Sequence, residues 1–117
     1  MKAAVFRGPR DIQFAEVEKP TLEKGEVLVR VRACGICGSD LHTYRHGMFE
    51  EFLGLAVETG CILGHEFSGE VAEICGDAGG FEVGDRVVTV SRGANAEYVK
   101  ISPPETELLM RFDESLP

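Results

Sequence analysis

The sequence predicts a mainly β fold, a small barrel of short strands with one or two short helices. Two observations predict it. Apolar and polar residues alternate over several short runs, the pattern of strands that have one buried face. Fourteen glycines, many of them between those runs, supply tight turns. A chain of 117 residues forms one domain whose core needs no disulfide support.

Six alternating runs are predicted to be strands. The clearest covers residues 26–33, in which valines share the face opposite Arg30 and Arg32. A turn signal at residues 8–11 separates the first two runs, and Gly84 precedes a later one. The six runs are residues 2–6, 12–17, 26–33, 69–74, 85–90 and 97–101.

One short helix is predicted after Gly38. Ser39 or Asp40 would cap its N-terminus by accepting a backbone N–H, and Gly47 would end it. The following residues, 48–59, show no strand alternation. Their apolar side chains recur every four residues, which predicts a second helix or an ordered loop, at Phe49, Leu53 and Val57.

Charge and composition exclude several classes of partner. The formal net charge of −8 disfavours nucleic acid and anionic membranes, since both repel an acidic surface. No apolar run approaches the roughly 18 residues that span a bilayer, and the N-terminus turns polar too soon for a signal peptide. We therefore expect a cytoplasmic protein. The glycine-rich residues 76–80 have the wrong spacing for phosphate binding and are predicted to form a hairpin loop.

Two clusters concentrate the chemistry of the chain. Residues 34–42, CGICGSDLH, hold two thiols, a hydroxyl, a carboxylate and an imidazole, and GHE follows at residues 64–66. Thiolate, imidazole and carboxylate are ligands that Zn²⁺ prefers. Cys37 and His65 are the favoured metal pair, because Cys37 precedes a predicted helix whose N-terminus would stabilise a thiolate. Glu66 could ligate the metal directly or lie just outside its shell.

Three neighbours of Cys37 each have a functional and a structural interpretation. Asp40 could accept a hydrogen bond from a ligand imidazole or cap the helix. Ser39 could pass a proton from a bound hydroxyl or act as a cap. His42 lies one helical turn from Ser39, so it could share the same cleft or be an exposed surface histidine.

Other uses of the cysteines remain open from the residues alone. A structural zinc site could use Cys34, Cys37, Cys61 and His65, whose C-x2-C and C-x3-H spacing is that of a zinc ribbon. That site gives no role to Ser39, Asp40, His42 or Glu66. A redox pair of Cys34 and Cys37 lacks the usual βαβ setting. In a third alternative the barrel binds no metal and serves as an interaction module. The structural interpretation of Cys34, Cys61 and Cys75, favoured for Cys34, is that they are buried thiols.

Three motifs together resemble the zinc-dependent medium-chain alcohol dehydrogenases. They are GICGSDLH at residues 35–42, GHEFSGEV at residues 64–71 and VGDRV at residues 83–87. The opening MKAA and the AEYV at residues 96–99 are similar too, so the resemblance follows the chain in order. It implies that residues 1–117 form the N-terminal catalytic domain of that family, a GroES-like, partly open β-barrel.

The resemblance also assigns roles by position. It implies that zinc is bound by Cys37 and His65, with Glu66 as a carboxylate that can enter the coordination shell. Asp40 matches the hydrogen-bond partner of the ligand histidine. Ser39 and His42 match the relay that carries the proton of a small-molecule alcohol to solvent.

The rest of the implied machinery is not in this sequence. The resemblance implies hydride transfer to NAD or NADP, bound by a Rossmann domain of a parent chain that is expected to be a homo-oligomer. Neither that domain nor the family's four-cysteine structural-zinc lobe is present, and residues 89–95 bridge the gap where the lobe would lie. We therefore expect this chain to be inactive by itself. Residues 48–61 are expected to shape the substrate pocket.

Overall fold

The computed structural model describes residues 1–47, 60–112 and 115–116 and confirms the mainly β fold. The expected second helix or loop at residues 48–59 lies outside that range. No helix within it is long and apolar enough to cross a membrane. The strands are β1 (Lys2–Gly8), β2 (Asp11–Glu16), β3 (Val27–Cys34), β4 (Cys61–Ile62), β5 (Glu66–Ile74), β6 (Arg86–Val90), β7 (Tyr98–Ile101) and β8 (Met110–Arg111). Helix α1 (Gly38–His46) follows β3, and a 3₁₀ turn (Glu105–Leu108) precedes β8.

Two antiparallel sheets form the partly open barrel. The larger has the strand order β7-β3-β5-β6-β8, and the smaller has the order β2-β1-β4. A bridge between Ala3 of β1 and Ala96, just before β7, joins them. The Ala4 N–H donates to the Asn95 carbonyl at 2.9 Å next to this bridge. The two sheets are therefore linked through the backbone.

The core lies against one face of the larger sheet. Val27 and Val29 of β3 are fully buried, whereas Arg30 and Arg32 are exposed on the opposite face, as the alternation predicts. Leu28 is also fully buried although it shares the parity of Arg30, so β3 is covered on both faces where it begins. The remaining buried members of the core are Phe67, Val71, Ala78, Val87, Ala94, Val99, Ile101 and Leu109.

Most element boundaries agree with the sequence to within about two residues, with three corrections. β5 begins at Glu66, three residues before the predicted start. β4 and β8 were not predicted, because a two-residue strand shows no alternation. Helix α1 ends at Gly47 in the left-handed conformation as expected, but its N-cap is Cys37 and not Ser39 or Asp40. The carboxylate of Asp40, one turn later, accepts the Cys37 N–H at 3.0 Å.

Gly69 permits the closest approach between β3 and β5. A Cβ added at this position would lie 2.1 Å from the Arg30 carbonyl oxygen and 2.8 Å from a methyl group of Val29. No side chain fits without moving the two strands apart. The pairing of β3 with β5 also positions the residues of the candidate metal centre described below. Gly69 therefore matters beyond the strand in which it lies.

Replacing Gly69 with Ala should therefore weaken the fold. We expect a loss of roughly 1–3 kcal/mol in the free energy of unfolding, the usual cost of overpacking, measured by urea denaturation. Gly38→Ala is the matched control, because nothing lies within 4 Å of its added Cβ. An unchanged unfolding midpoint for Gly69→Ala would contradict the tight β3–β5 contact.

Glu26 is a buried carboxylate that ties the start of β3 to the chain after β7. It accepts hydrogen bonds from the Ser102 hydroxyl and, at 2.6 Å, from the Glu23 N–H. Lys100 Nζ lies 3.7 Å from the same carboxylate. The Ser102 hydrogen bond chiefly, then the Glu23 N–H and the Lys100 charge, hold the pKa of Glu26 below its ordinary value of 4.5 despite burial.

A depressed carboxyl pKa makes stability depend on pH with a definite sign. The ionised Glu26 stabilises the fold above pH 4.5, and that contribution is lost as the pH falls through its lower folded pKa. Glu26→Gln should remove this part of the acid destabilisation when unfolding free energy is measured below pH 4.5. Ser102→Ala should reduce it without abolishing it. A Glu26→Gln profile parallel to that of the wild type would refute the assignment.

Candidate metal centre

The pairing of β3 with β5 brings the two sequence clusters to one edge of the larger sheet. The strands are antiparallel, and Cys34 at the end of β3 lies opposite Phe67 near the start of β5. The Gly35 N–H donates to the Glu66 carbonyl at 2.7 Å and extends the ladder beyond β3. Cys37 follows β3 by three residues and His65 directly precedes β5. Residues far apart in sequence therefore lie side by side.

Cys37, His65 and Glu66 form a group whose potential ligand atoms all lie within 4.8 Å of one another. It is the one group of three or more such side chains in the part of the chain that the structure describes. The Nε2 atom of His65 lies 3.9 Å from Glu66 Oε1. The imidazole is 28% exposed and the Glu66 side chain 54%, so the group is open to solvent on the glutamate side.

Asp40 contacts both segments of this group. Its Oδ2 accepts the Cys37 N–H at 3.0 Å, and its Oδ1 lies 3.5 Å from His65 Nδ1. The structure therefore unites the two interpretations of Asp40, as part of the helix start and as the neighbour of the imidazole. With Nδ1 directed at Asp40, Nε2 is the ring nitrogen on the side of Glu66.

The Cys37 thiol is prepared to ionise. The Ser39 hydroxyl, then the Ser39 backbone N–H, then the His65 side chain lower its pKa by hydrogen bonding to the sulfur. Burial and the negative charge of Glu66 act in the opposite direction but are weaker. Because Cys37 is the N-cap of α1, the helix N-terminus faces the thiolate.

Cys34 behaves differently from Cys37, although only two residues separate them. Burial chiefly, then the charge of Asp40, raises the pKa of the Cys34 thiol. Cys61 lies in β4, where it pairs with Phe6 of the smaller sheet. Neither extra thiol of the alternative zinc site of Cys34, Cys37, Cys61 and His65 joins the group around Cys37 in the described residues. No disulfide joins Cys34, Cys37, Cys61 or Cys75 in the described residues.

Two of the sequence-predicted residues on α1 are placed differently with respect to this group. Ser39 contacts the Cys37 sulfur directly through its hydroxyl and its N–H. His42 lies on the exposed side of the helix, with its ring centroid 6.3 Å from that of His46. The structure thus brings Ser39 to the metal-ligand group and leaves His42 one turn further along.

A connection that the sequence did not single out holds the backbone of His65. The chain between β6 and β7 donates three N–H groups to residues 63–65: Ser91 to His65 at 2.9 Å, Ala94 to Gly64 at 3.1 Å and Asn95 to Leu63 at 2.9 Å. A Cβ on Gly64, which has a φ of +89°, would lie 2.6 Å from the Asn95 side-chain oxygen. The only sequence signal was the glycine before His65.

An open and mostly apolar groove of about 660 Å³ adjoins Glu66. The exposed side chains of Val90, Leu108 and Met110 line it together with Cys34. Of the metal-ligand group, Glu66 lines the groove, whereas Cys37 and His65 do not. The expected contribution of residues 48–61 to a substrate pocket falls largely outside the described residues and is not tested.

Comparison with known proteins identifies the family. The sequence profile described as the alcohol dehydrogenase GroES-like domain matches residues 23–109. The chain belongs to the zinc-type, medium-chain alcohol dehydrogenase family. The chain is 44% identical over 93 residues to the (R,R)-butanediol dehydrogenase of Bacillus subtilis, and the match covers 75% of this chain and 27% of the relative. It is 45% identical over 87 residues to the sorbitol dehydrogenase of the same organism, covering 74% of this chain and 24% of the relative.

Solved structures give the same architecture. The crystal structure of 2R,3R-butanediol dehydrogenase from Bacillus subtilis superposes with a TM-score of 0.78 at 30% identity, over 99% of this chain and 41% of that one. An alcohol dehydrogenase from Aeropyrum pernix superposes with a TM-score of 0.83 at 24% identity, over 100% of this chain and 41% of that one, and supports the fold alone. The chain spans about a quarter of the length of the curated relatives it matches.

The contrast between Cys34 and Cys37 gives a prediction within a single molecule. In metal-free protein, Cys37 should be alkylated by iodoacetamide at lower pH than Cys34, because only the thiolate reacts and the two pKa values are shifted in opposite directions. Peptide mass spectrometry across a pH series separates the two sites. Ser39→Ala should move the Cys37 profile to higher pH and leave that of Cys34 in place. Equal profiles for the two thiols would show the assignment to be wrong.

Proposed function

We propose that residues 1–117 are the catalytic domain of a zinc- and NAD(P)-dependent alcohol or polyol dehydrogenase. The convergence of Cys37, His65 and Glu66 within 4.8 Å is the observation that carries the proposal. Membership of the family supports it, as does the match of the surrounding fold to a butanediol dehydrogenase. A barrel that binds no metal has no need to gather these side chains at an open edge.

The residues present suit zinc. Thiolate, imidazole and carboxylate are all ligands of this ion, and the lowered pKa of Cys37 favours the thiolate. Asp40 beside Nδ1 of His65 is the arrangement that orients a ligand histidine and raises its basicity. A cation here would also offset the repulsion between Glu66 and the thiolate. We propose Cys37 and His65 as ligands, with Glu66 ligating directly or exchanging with water.

Zinc bound at this position would lower the proton affinity of an alcohol oxygen, as it does for water. The side chains of this chain then have the task of removing the proton. The Ser39 hydroxyl touches the Cys37 sulfur, so it lies beside the position that the substrate oxygen would take. His42, exposed one turn along α1, would pass the proton from Ser39 to solvent. The hydride acceptor, NAD or NADP, would come from the Rossmann domain of the parent chain.

The relatives suggest the class of substrate. Their names specify butanediol, sorbitol, and erythritol or L-threitol, which are small alcohols that carry several hydroxyl groups. We propose a small diol or polyol for this chain as well. The Glu66 carboxylate is half-exposed, so one side of the site is open to solvent. Substrate hydroxyl groups that are not oxidised can remain solvated there.

Zinc binding is the direct test of the proposed ligands. Cys37→Ser should abolish the zinc that the chain retains after dialysis, measured with a chromophoric chelator, because a neutral hydroxyl replaces the thiolate. Asp40→Asn should weaken zinc binding roughly 10–100-fold through the orientation of His65.

Cys61→Ser is the matched control, a thiol in β4 outside the group, and it should retain zinc fully. If Cys37→Ser holds zinc through dialysis as firmly as the wild type does, or if Cys61→Ser loses it, the proposed ligand set is wrong. A wild-type chain that takes up no zinc when supplied with the ion would favour the barrel that binds no metal.

Catalysis is expected to need the cofactor domain. The 117-residue chain loaded with zinc should give no reduction of NAD⁺ or NADP⁺, followed at 340 nm, with 2,3-butanediol or sorbitol as the substrate. It should nevertheless bind the alcohol at the metal. Cobalt in place of zinc makes this visible as a change in the visible absorption spectrum when alcohol is added. Measurable turnover by the chain alone would contradict the proposed division of labour.

A further inference from the structure

A second cluster of metal-binding side chains lies on the surface of α1, outside the group around Cys37. His42 and His46 are both exposed and lie four positions apart, so they are above one another on the same face of the helix. Their ring centroids are 6.3 Å apart, and the ring planes are inclined by 36°. Two histidines at this spacing on a helix are able to bind one zinc ion together.

From this geometry we infer that His42 and His46 form a second cation site, which takes a divalent ion that prefers imidazole, such as Zn²⁺, Ni²⁺ or Cu²⁺. The Zn–N distance is about 2.0–2.1 Å, so both donor nitrogens must come within about 4 Å of each other. The rings need to rotate toward each other to reach it, and His42 must exchange an interaction that it already makes for the ion. Exposed side chains change rotamer on the picosecond to nanosecond scale. Water would fill the remaining positions.

The helix end that carries the pair is well fixed. Gly47 closes the last turn in the left-handed conformation, and its N–H donates to the Thr43 carbonyl at 2.9 Å. Thr43 is buried and donates its hydroxyl to the Ser39 carbonyl at 2.8 Å. The Arg10 N–H donates to the Tyr44 carbonyl at 2.6 Å, from the turn between β1 and β2. The two histidines therefore project from a rigid support, which reduces the entropy cost of binding both to one ion.

Electrostatics act on this site in both directions. The C-terminal end of a helix carries partial negative charge, which favours a cation near His46 in the last turn. The neighbouring Arg45 repels a second positive charge. The nitrogen donors also set the selectivity, because Mg²⁺ and Ca²⁺ prefer oxygen ligands and should not bind the pair.

One consequence rests on the proposed function. If His42 passes the substrate proton to solvent, an ion held on its imidazole occupies the nitrogen that the proton needs. Zinc in excess would then inhibit the parent enzyme through a site distinct from the ligands of the catalytic ion. The inference of binding does not depend on this consequence, and it is tested separately.

Titration of zinc into the Cys37→Ser chain, followed by nitrogen-15 NMR of the imidazoles, tests the pair. Serine is a favourable N-cap, so this background keeps α1 intact while it disables the proposed catalytic site. The chain has only three histidines, so every imidazole signal can be assigned. We expect the signals of His42 and His46 to shift together along one binding curve, and Mg²⁺ at the same concentrations to shift neither.

The matched variants are His46→Gln and Arg45→Gln, which change neighbouring exposed positions in the same turn. His46→Gln should weaken zinc binding at His42 about 100-fold, since a second ligand held on the same support raises affinity by at least that much. Arg45→Gln should bind zinc at least as tightly as its parent. Different midpoints for His42 and His46, an equal response to Mg²⁺, or a His42 curve that His46→Gln leaves unchanged would each overturn the inference.

Discussion

The antiparallel register between β3 and β5 is the constraint on which the rest of the molecule depends. Cys34 opposite Phe67 fixes which residues leave the sheet together at this edge. Because side chains alternate along a strand, a slip of one residue would turn the core valines of β3 to solvent. The same slip would separate Cys37 from His65. Core packing and the geometry of the candidate metal centre are therefore secured by one set of backbone hydrogen bonds, with Gly69 allowing the strands to approach.

The balance of charge explains why the candidate centre favours a cation. The thiol of Cys37 and the carboxylates of Asp40 and Glu66 surround a single imidazole, in a chain whose net charge is already −8. Hydrogen bonds from Ser39 stabilise the thiolate, but Glu66 opposes it. A protein that only needed a stable barrel would gain more from neutral side chains at this edge. Gathering these groups is costly without a positive ion, because their negative charges repel one another, and a bound cation would offset that repulsion.

Patterns that repeat along the sequence predicted the elements they form. Contacts that a residue makes only once leave no such pattern and were not predicted. Alternation located the six longer strands, and the α1 boundaries followed from Gly38 and Gly47. It could not reveal β4 or β8, since pairing partners and not periodicity define strands of two residues. Residue spacing could not choose between ligand sets that include Cys61 and ligand sets that include Glu66. The topology bears on that choice, because it places Cys61 in the smaller sheet. The backbone hydrogen bonds from residues 91–95 to residues 63–65 correspond to no periodic pattern in the sequence.

Those hydrogen bonds have a consequence for how such a domain can change in length. Three N–H groups of the β6–β7 connection end on residues 63–65, next to the imidazole that we propose as a ligand. A longer connection, such as one that carries the structural-zinc lobe of the family, must keep those three bonds at its base for the imidazole to stay beside the Cys37 thiol. The β5–β6 connection, at the far end of β5, makes none of these bonds, but its Ala78 is buried in the core. Added residues between β6 and β7 therefore bear on the candidate metal centre, whereas added residues between β5 and β6 bear on the packing of the core.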